Sequence, residues 1–263
     1  MSRSLFSLEG KVVAVIGAAS GIGEAVAIGA AREGASVFCC DVNADGAAAT
    51  AETISKAGGS ARSGRIDITD ITSTRDAIVE AASTHSRLDG VVCTPAINVR
   101  KPILQYTGEE FDRVVTVNLR GNFNVLHAAG SLLVSQRSGS IVLFSSIRSI
   151  VTEPGQAVYS MTKAGILQLV KTAATEWGTK GVRVNAVGPG VIETPLTAPI
   201  KQNAEWYNAY AMKNPMQRWA QASEMAGPTI FLLSDAASYV TGTILYADGG
   251  WLAADGRFTP PGM

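Results

Sequence analysis

Two side chains one helical turn apart, Tyr159 and Lys163, carry the clearest chemical signal in the sequence. A helix over residues 156–178 would place both on the same face. A lysine ammonium a few Å from a phenol favours the phenolate and lowers a tyrosine pKa that is otherwise about 10. The pair therefore predicts a general base that takes the proton of an alcohol. The same spacing also occurs in helices as a simple surface pair.

A glycine-rich turn separates a β-branched run, residues 11–16, from a predicted helix, residues 24–32. Glycines spaced four and two apart let the backbone approach a pyrophosphate at the helix N-terminus. This strand–turn–helix interpretation also explains the apolar stretch 12–31 better than a membrane span does, because Glu24 and three grouped glycines interrupt it. A tight turn without a ligand would have the same sequence. The turn consists of Gly17, Ala18, Ala19, Ser20, Gly21, Ile22 and Gly23.

An acidic residue, Asp41, ends the second predicted strand, residues 35–40. A carboxylate about 20 residues past the glycines can accept hydrogen bonds from the adenosine ribose and would repel a 2′-phosphate. No Arg or Lys lies in the glycine turn or in residues 42–44, so the sequence favours NAD over NADP. Asp41 could instead cap a helix from about Asn43, and both roles are compatible. Further on, Asp67 and Ile68 are predicted to flank an adenine ring.

Strands and helices alternate with short connections, which predicts one α/β domain over residues 1–263. We expect a doubly wound, mostly parallel, seven-stranded Rossmann sheet with helices on both faces. The segment 193–221 breaks the alternation and is predicted to be a substrate loop or lid. The predicted strands are 11–16, 35–40, 61–66, 88–93, 140–144, 182–187 and 243–246. The predicted helices are 24–32, one from about 43, 71–85, 108–133, 156–178 and 222–234.

Composition argues against several classes of partner. The 22 basic and 22 acidic residues give a net charge of zero, which disfavours nucleic acid and anionic membrane surfaces. Adjacent Cys39 and Cys40 lie in a predicted buried strand, so we expect reduced thiols. The N-terminus has no apolar signal segment, which favours the cytoplasm. His85 and His127 have no cysteine or carboxylate cluster at ligand spacing, so we expect no metal.

Taken in order, these motifs resemble the short-chain dehydrogenase/reductase family over essentially the whole chain. The glycine turn and the Tyr159/Lys163 pair match family motifs at family spacing. Four further matches complete the resemblance: Asn118 in the long predicted helix, Ser146 thirteen residues before Tyr159, the segment from Asn185 through Pro189 and Gly190 to Thr194, and the closing Asp248, Gly249 and Gly250.

The resemblance implies a role for each matched residue. Tyr159 would be the acid/base, Ser146 would hold the substrate oxygen, and Lys163 would bind the nicotinamide ribose and lower the tyrosine pKa. Asn118 would hold a water that links Lys163 to solvent. The cofactor would further contact Pro189, Gly190, Val191 and Ile192, with Thr194 near the pyrophosphate. Hydride would then pass between a substrate carbon and NAD.

The sequence departs from the family pattern at two positions near the cofactor. Ile16 precedes the first glycine where the family commonly has threonine, and residues 93–96 read Cys-Thr-Pro-Ala where it commonly has Asn-Asn-Ala-Gly. A proline cannot donate a backbone hydrogen bond, so local cofactor contacts should differ. The catalytic set is complete, and we expect activity to be retained.

Basic residues near the predicted centre indicate the substrate class. Arg100 follows the fourth strand and Arg148 lies two residues past Ser146. Arginine binds carboxylates bidentately, so an anionic or highly polar substrate is expected. The arrangement is similar to the gluconate 5-dehydrogenase-like branch of the family, which favours a sugar, sugar acid or polyol. The chain as a whole is also similar to the 3-oxoacyl reductase-like branch. Both arginines could equally be surface or subunit-interface residues.

Other activities and assemblies remain open at this point. A 3-oxoacyl thioester reductase, or a non-catalytic NAD-sensing protein on the same fold, is an alternative. A sugar-nucleotide epimerase is disfavoured because few residues follow Lys163. The resemblance implies a homotetramer, in which the tail 251–263 could reach a neighbouring subunit or the active site.

Overall fold

A single parallel sheet forms the centre of the protein. The computed structural model describes residues 4–83 and 85–254. Within this range the strands are β1 Val12–Ile16, β2 Ser36–Asp41, β3 Ser60–Arg65, β4 Gly90–Cys93, β5 Gly139–Phe144, β6 Val182–Pro189, β7 Ile192–Glu193, β8 Ala220–Gln221 and β9 Ile244–Ala247. Seven of them form the sheet in the order β3-β2-β1-β4-β5-β6-β9, with every neighbouring pair parallel.

The helices cover both faces of this sheet. In the described residues they are α1 Gly21–Arg32, α2 Ala44–Lys56, α3 Ile71–Ser83, α4 Gly108–Val115, α5 Gly121–Gln136, α6 Ala157–Trp177, α7 Ala198–Lys201, α8 Ala204–Ala211 and α9 Ala226–Leu233. Short 3₁₀ turns lie at Ile103–Gln105, Ile147–Ser149, Gly178–Lys180, Pro195–Thr197, Ala222–Met225 and Asp235–Ala237.

Alternation along the strands produces two apolar cores. In β1, Ala14 faces the core that α3, α5 and α6 cover, whereas Val13 and Val15 face the core that α1, α2 and α9 cover. Strands buried on both faces read as continuous β-branched runs, which explains why β1 is apolar throughout. The predicted seven-stranded sheet with helices on both faces is confirmed.

The order of the strands reverses at β1, which pairs with β2 on one side and β4 on the other. Helices that follow β1 and β4 therefore leave on opposite faces of the sheet. A crevice opens at such a switch point beyond the carboxyl ends of the strands, where doubly wound folds bind their ligands.

The predicted single helix 108–133 contains an irregularity that the apolar pattern did not indicate. Thr116–Arg120 forms a π-helical turn between α4 and α5, and Asn118 lies inside it, fully buried. The inserted residue of a π turn changes the direction of side chains, and such turns are frequent at functional sites. The helix also extends beyond the prediction, to Gln136.

The segment 193–221 has more structure than a loop. Helices α7 and α8 occupy it, and β7 pairs with β8 in parallel, which closes its base. Its aromatic residues pack into a small third core, in which Tyr210, Trp219 and Trp251 are buried. Of the tail named above, residues 255–263 lie outside the described residues. No helix in the described chain combines the length and apolarity that a membrane crossing needs.

The substitution Gly23→Ala tests how tightly the glycine turn is packed. A Cβ added there would lie 1.9 Å from the Gly17 carbonyl oxygen, so Gly23→Ala must displace backbone. We expect a destabilisation of about 1–3 kcal/mol in urea-induced unfolding. Gly227→Ala is the matched control in a second helix, because a Cβ there meets nothing within 4 Å. It should leave stability unchanged or raise it by up to about 1 kcal/mol; equal losses in both variants would contradict this packing.

Candidate active site

A cleft of about 610 Å³ opens at the switch point between β1 and β4. The glycine turn, Asp41, Asp67 and Ile68 all line it, as does Thr194 from the opposite side. The predicted dinucleotide residues from the first half of the chain are therefore together. The lining is Ile16, Gly17, Ser20, Gly21, Ile22, Gly23, Asp41, Val42, Ile66, Asp67, Ile68, Thr69, Thr94, Pro95, Ala96, Ile97, Val117, Thr194, Pro195 and Leu196.

The floor of the cleft is a turn that requires glycine. Gly17 and Gly21 have φ of +90° and +61°, a region that side chains other than glycine rarely adopt. Ser20 precedes α1 without capping it through its side chain, so the helix N-terminus faces the cleft without a side-chain acceptor. Exposed backbone N–H groups and the helix dipole suit a phosphate there. The turn thus fits a dinucleotide pyrophosphate.

Asp41 is held by two backbone groups at the edge of the cleft. Its carboxylate accepts hydrogen bonds from Ala19 N at 3.0 Å and from Asn43 N at 2.9 Å. Helix α2 is capped by Asn43 itself, whose side chain accepts from Gly46 N, so Asp41 is not the cap. Arg65 on β3 lies in register with Asp41. Arg65 lies outside the glycine turn and residues 42–44, where the sequence was searched for a basic neighbour of Asp41, and so it was not found.

The Cys-Thr-Pro-Ala segment makes its own connection to the first strand. Thr94 bonds to the Ile16 carbonyl through both its N–H and its hydroxyl, each at 3.0 Å. Pro95 packs beside Gly17, where a Cβ on the glycine would meet the proline ring at 3.1 Å. The segment that departs from the family pattern is therefore bonded to β1 through Thr94 and packed against the glycine turn through Pro95.

The side chain of Asn118 holds the backbone of Ile97, the residue after this segment, by hydrogen bonds. Its side chain accepts from Ile97 N and donates to Ile97 O, both at 2.8 Å, and it also donates to the Thr162 hydroxyl at 3.3 Å. The carboxamide is thereby fully engaged with protein groups. The water that the resemblance implies beside Asn118 stays a prediction.

A second pocket of about 360 Å³ adjoins the cleft at Leu196, which lines both. It contains the predicted acid/base Tyr159, the hydroxyl of Ser146 and both predicted substrate arginines. Its lining is Asn98, Arg100, Ser146, Ile147, Arg148, Gln156, Tyr159, Gly190, Val191, Leu196, Thr197, Pro199, Ile200, Trp206, Tyr210 and Trp219.

Tyr159 projects from the first turn of α6 towards the end of β5. Its hydroxyl faces that of Ser146, and both residues line the second pocket. Burial raises the pKa of Tyr159 to about 12, and the hydrogen bond with Ser146 and the charges of Arg148 and Arg100 oppose that rise without cancelling it. Lys163 is not among the described groups that lower the pKa of Tyr159, so the predicted fall of this pKa towards neutrality is not seen in the chain itself.

Lys163 bonds to the sheet rather than to the phenol. Its ammonium donates to the Phe144 carbonyl at 2.8 Å and lies 5.5 Å from the centre of the Tyr159 ring. The side chain is only 2% exposed, and burial lowers the pKa of Lys163 to about 8. The Tyr159 phenol and the Lys163 ammonium are both desolvated, so burial disfavours the charged form of each.

Arg148 and Arg100 share one carboxylate, Glu153. Arg148 Nη2 lies 2.7 Å from Glu153 Oε2, and Arg100 Nη1 lies 2.6 Å from Glu153 Oε1. Arg148 is 6% exposed, so it is not a surface residue. Each guanidinium also lies over a tryptophan ring, Arg100 over Trp206 and Arg148 over Trp251. Such stacking favours arginine over lysine.

Glu153 and Gln156 are the residues that the sequence interpretation missed. They precede Tyr159 by six and three positions and lie behind and in the pocket, respectively. A search for the counter-charge of two pocket arginines could have indicated Glu153, since few acids lie near Ser146 in sequence.

The remaining predicted cofactor residues either line the second pocket or are buried outside both pockets. Gly190 and Val191 line the second pocket, Ile192 is buried, and Pro189 ends β6 beside β9. Lys163 and Asn118 line neither pocket. Among the described residues, no group of three or more His, Cys, Asp or Glu side chains could hold a metal ion, and the three cysteines are buried and unpaired.

Comparison with known proteins agrees with this architecture. A family model described as enoyl-(acyl carrier protein) reductase matches residues 17–252. The chain is 35% identical over 243 residues to the 3-oxoacyl-(acyl-carrier-protein) reductase of Thermotoga maritima, covering 92% of this chain and 98% of that protein. It is also 35% identical over 251 residues to the 2-dehydro-3-deoxy-D-gluconate 5-dehydrogenase of Pseudoalteromonas atlantica, covering 94% and 98%.

Among solved structures, a putative NAD(P)-dependent gluconate 5-dehydrogenase from Beutenbergia cavernae superposes with a TM-score of 0.91 at 37% identity. The match covers 95% of this chain and all of that one, which carries NADP at low occupancy. The chain belongs to the short-chain dehydrogenase/reductase family, and it is an oxidoreductase of the alcohol dehydrogenase and carbonyl reductase class.

The buried ammonium of Lys163 predicts a specific pH dependence of stability. The folded-state pKa, about 8, lies below the ordinary 10.5, so the unfolded chain binds more protons between these values. The Lys163 contribution to the free energy of unfolding should therefore rise as pH increases from 8 to 10.5, by on the order of 3 kcal/mol. Urea unfolding of the wild type and Lys163→Met across pH values from about 7 to about 10 measures it.

Only the wild type should show this rise, because the variant has no ammonium to desolvate. Lys171→Met is the control, since Lys171 lies exposed on the same helix and should leave the wild-type profile unchanged. Parallel profiles for the wild type and Lys163→Met would contradict the burial of a titrating ammonium.

Proposed function

We propose that the protein is an NAD-dependent oxidoreductase that transfers a hydride between a secondary alcohol carbon of a sugar acid, sugar or polyol and nicotinamide. Tyr159 is the acid/base, Ser146 holds the substrate oxygen, and Lys163 and Asn118 complete the catalytic set. The observation that carries the proposal is that Tyr159 and Ser146 line one pocket, and that this pocket adjoins the dinucleotide cleft at Leu196.

The cofactor would occupy the 610 Å³ cleft. When bound, the nicotinamide supplies the hydride chemistry. The glycine turn and the α1 N-terminus would hold the pyrophosphate, with Asp67 and Ile68 at the adenine and Thr194 closing the opposite wall. Pro189, Gly190, Val191 and Ile192 follow the end of β6, from which they would position the nicotinamide beside Tyr159.

The preference for NAD rests on the carboxylate of Asp41. Its two backbone donors keep it at the rim of the cleft, where it would accept from a ribose and repel a 2′-phosphate. The NADP bound to the Beutenbergia protein and the position of Arg65 beside Asp41 favour NADP. We rank NAD first because Asp41 lines the cleft directly.

The raised pKa of Tyr159 has a consequence for each direction of the reaction. A protonated phenol is ready to donate to the oxygen of a carbonyl that receives the hydride. Alcohol oxidation instead requires that the phenol lose its proton, so it should be favoured at higher pH. The positive charges of Arg148 and Arg100 assist that loss.

A sugar acid suits the charge of the second pocket. Two arginines face one carboxylate there, and this leaves one net positive charge beside the reacting hydroxyls. The names of the Pseudoalteromonas and Beutenbergia relatives refer to gluconate-type acids, which supports the same class.

Reduction of a 3-oxoacyl thioester is the second candidate. The Thermotoga relative is a reductase of that substrate, and the pocket has apolar walls from Leu196, Pro199 and Ile200. A non-catalytic NAD sensor is the third candidate, and the retention of Tyr159 and Lys163 argues against it.

We further propose a cytoplasmic homotetramer that binds small molecules rather than nucleic acid or membrane; light scattering tests the assembly.

Tyr159→Phe tests the acid/base assignment. Removing the hydroxyl should lower kcat by roughly 10²–10⁴-fold, because proton transfer loses its partner. NADH binding, measured by fluorescence titration, should persist. Tyr239→Phe removes a hydroxyl from a fully exposed tyrosine and should leave kcat unchanged. Turnover of the Tyr159→Phe variant at the wild-type rate would refute the assignment.

Asp41→Asn tests the cofactor preference. The wild type should have a kcat/KM for NAD that exceeds that for NADP by about tenfold or more, equivalent to about 1.4 kcal/mol. The amide cannot repel a 2′-phosphate as the carboxylate does, so the variant should narrow that ratio. Asp45→Asn, on the adjacent first turn of α2, is the control. A wild-type preference for NADP would overturn this part of the proposal.

A further inference from the structure

One carboxylate behind the second pocket receives hydrogen bonds from three side chains and forms an ion pair with a fourth. Glu153 Oε1 accepts from Arg100 at 2.6 Å, from Gln156 at 3.1 Å and from the Tyr210 hydroxyl, and Oε2 faces Arg148 at 2.7 Å. Its four neighbours all line the pocket, whereas Glu153 does not. Glu153 therefore acts on the pocket only through the groups that it holds.

Glu153 determines the direction of the hydrogen bonds that lead away from it. An ionised carboxylate can only accept, so Gln156 must turn its NH₂ group towards Glu153. The Gln156 oxygen then faces Asn98, which donates to it from Nδ2 at 2.8 Å. Both amides are thus oriented by the carboxylate, and the Asn98 oxygen is left pointing away from the network.

Two buried polar atoms at the two ends of this network lack a partner. Asn98 Oδ1 and Arg148 Nη1 have no hydrogen bond to any group in the described chain. Both residues line the pocket that contains Tyr159, and Arg148 is only 6% exposed. Buried polar groups are normally paired, so one acceptor and one cationic donor closed off beside the pocket indicate a ligand that supplies both partners after a small shift of these side chains.

We propose that Glu153 is a positioning residue for substrate specificity, which orients Asn98 and Arg148 so that the pocket binds the hydroxyl and the carboxylate of one linear hydroxy acid. The Asn98 oxygen accepts from a substrate hydroxyl, and Arg148 Nη1 donates to the substrate carboxylate. This inference rests on the proposed function, whose substrate class it narrows to acids that carry a free hydroxyl away from the reacting carbon.

The electrostatics of the site support an ionised Glu153. Burial alone raises the pKa of this carboxyl, but the Tyr210 hydrogen bond, the Arg148 charge and the Arg100 and Gln156 hydrogen bonds together hold it below its ordinary value. An ionised Glu153 also offsets one of the two guanidinium charges. The remaining single positive charge suits one carboxylate better than a dianion or a neutral polyol.

The test compares three six-carbon ligands on the NADH-saturated protein, which cannot oxidise an alcohol. Gluconate carries a carboxylate and hydroxyls, glucitol carries only hydroxyls, and hexanoate carries only the carboxylate. Isothermal titration calorimetry measures the dissociation constant of each. The wild type should bind gluconate about tenfold or more tightly than either of the other two ligands, since each of those leaves one polar atom unpaired.

Glu153→Gln should change two of the affinities in opposite directions. Glucitol should bind about three- to tenfold more weakly, because an amide no longer orients Gln156 and Asn98. Hexanoate should bind more tightly, by about tenfold, because Arg148 loses its counter-charge. A merely structural role for Glu153 would weaken all three ligands together, and that outcome would overturn the proposal.

Two variants keep the test decisive if Glu153→Gln does not fold. Asn98→Ala should weaken gluconate and glucitol by about three- to tenfold and leave hexanoate within about twofold. Gln156→Met should reproduce this pattern only if Asn98 is oriented through Gln156; wild-type affinities in both variants would overturn the proposal. Glu52→Gln, which removes an exposed acid paired with Lys56, is the control.

The binding measurements remain separate from the proposed activity. If NADH binds and the three ligands follow the expected pattern while Tyr159→Phe retains turnover, the acid/base assignment fails and the substrate inference stands. If Tyr159→Phe is inactive and the ligands bind indiscriminately, the proposed activity stands and the role of Glu153 fails.

Discussion

The attachment of α6 to the end of β5 is the constraint on which the site depends. The Lys163 ammonium donates to the Phe144 carbonyl, and the Ser145 hydroxyl donates to the Lys163 carbonyl at 2.8 Å. In one bond a helix side chain donates to the strand backbone, and in the other a side chain after the strand donates to the helix backbone. Both bonds are buried. They hold the first turn of α6 against the chain that follows β5, which brings the Tyr159 and Ser146 hydroxyls together. Desolvation of the ammonium is the cost of this arrangement.

A second constraint fixes the part of the second pocket that Asn98 and Arg100 line. The π turn in the long helix directs Asn118 at the backbone of Ile97, and its carboxamide pairs with both polar groups of that residue. The next residues along the chain are Asn98 and Arg100, which extend to Gln156 and Glu153. Two sets of hydrogen bonds therefore support the pocket, one at α6 and one at the π turn. Side chains that follow from each of them, Gln156 and Arg100, donate to the same carboxylate, Glu153.

Much of the fold could be predicted because it follows from local patterns. β1 is apolar on both faces and is followed by glycines with positive φ, so its strand–turn–helix unit was evident from residue types alone. The π turn could not be predicted, since the same apolar pattern suits an uninterrupted helix and only the contact with Ile97 distinguishes them. The structure of the segment 193–221 was missed for a similar reason, because its aromatics find their partners in Ile147 and Trp251, far away in sequence.

The sequence by itself determined the family, the parallel sheet and the identities of the groups that can do chemistry, because these depend on residue type and on short spacings. Only the tertiary structure decided their electrostatic states. The spacing of Tyr159 and Lys163 indicated a lowered phenol pKa, whereas burial of the phenol raises the pKa of Tyr159. Burial lowers the pKa of Lys163, and its ammonium donates to the Phe144 carbonyl instead of to the phenol. In the same way, Arg100 and Arg148 were visible as charges, but their shared partner Glu153 was not. Desolvation and counter-charges come from groups that the fold brings together. Because these groups are far apart in the sequence, the sequence alone does not show which of them are neighbours.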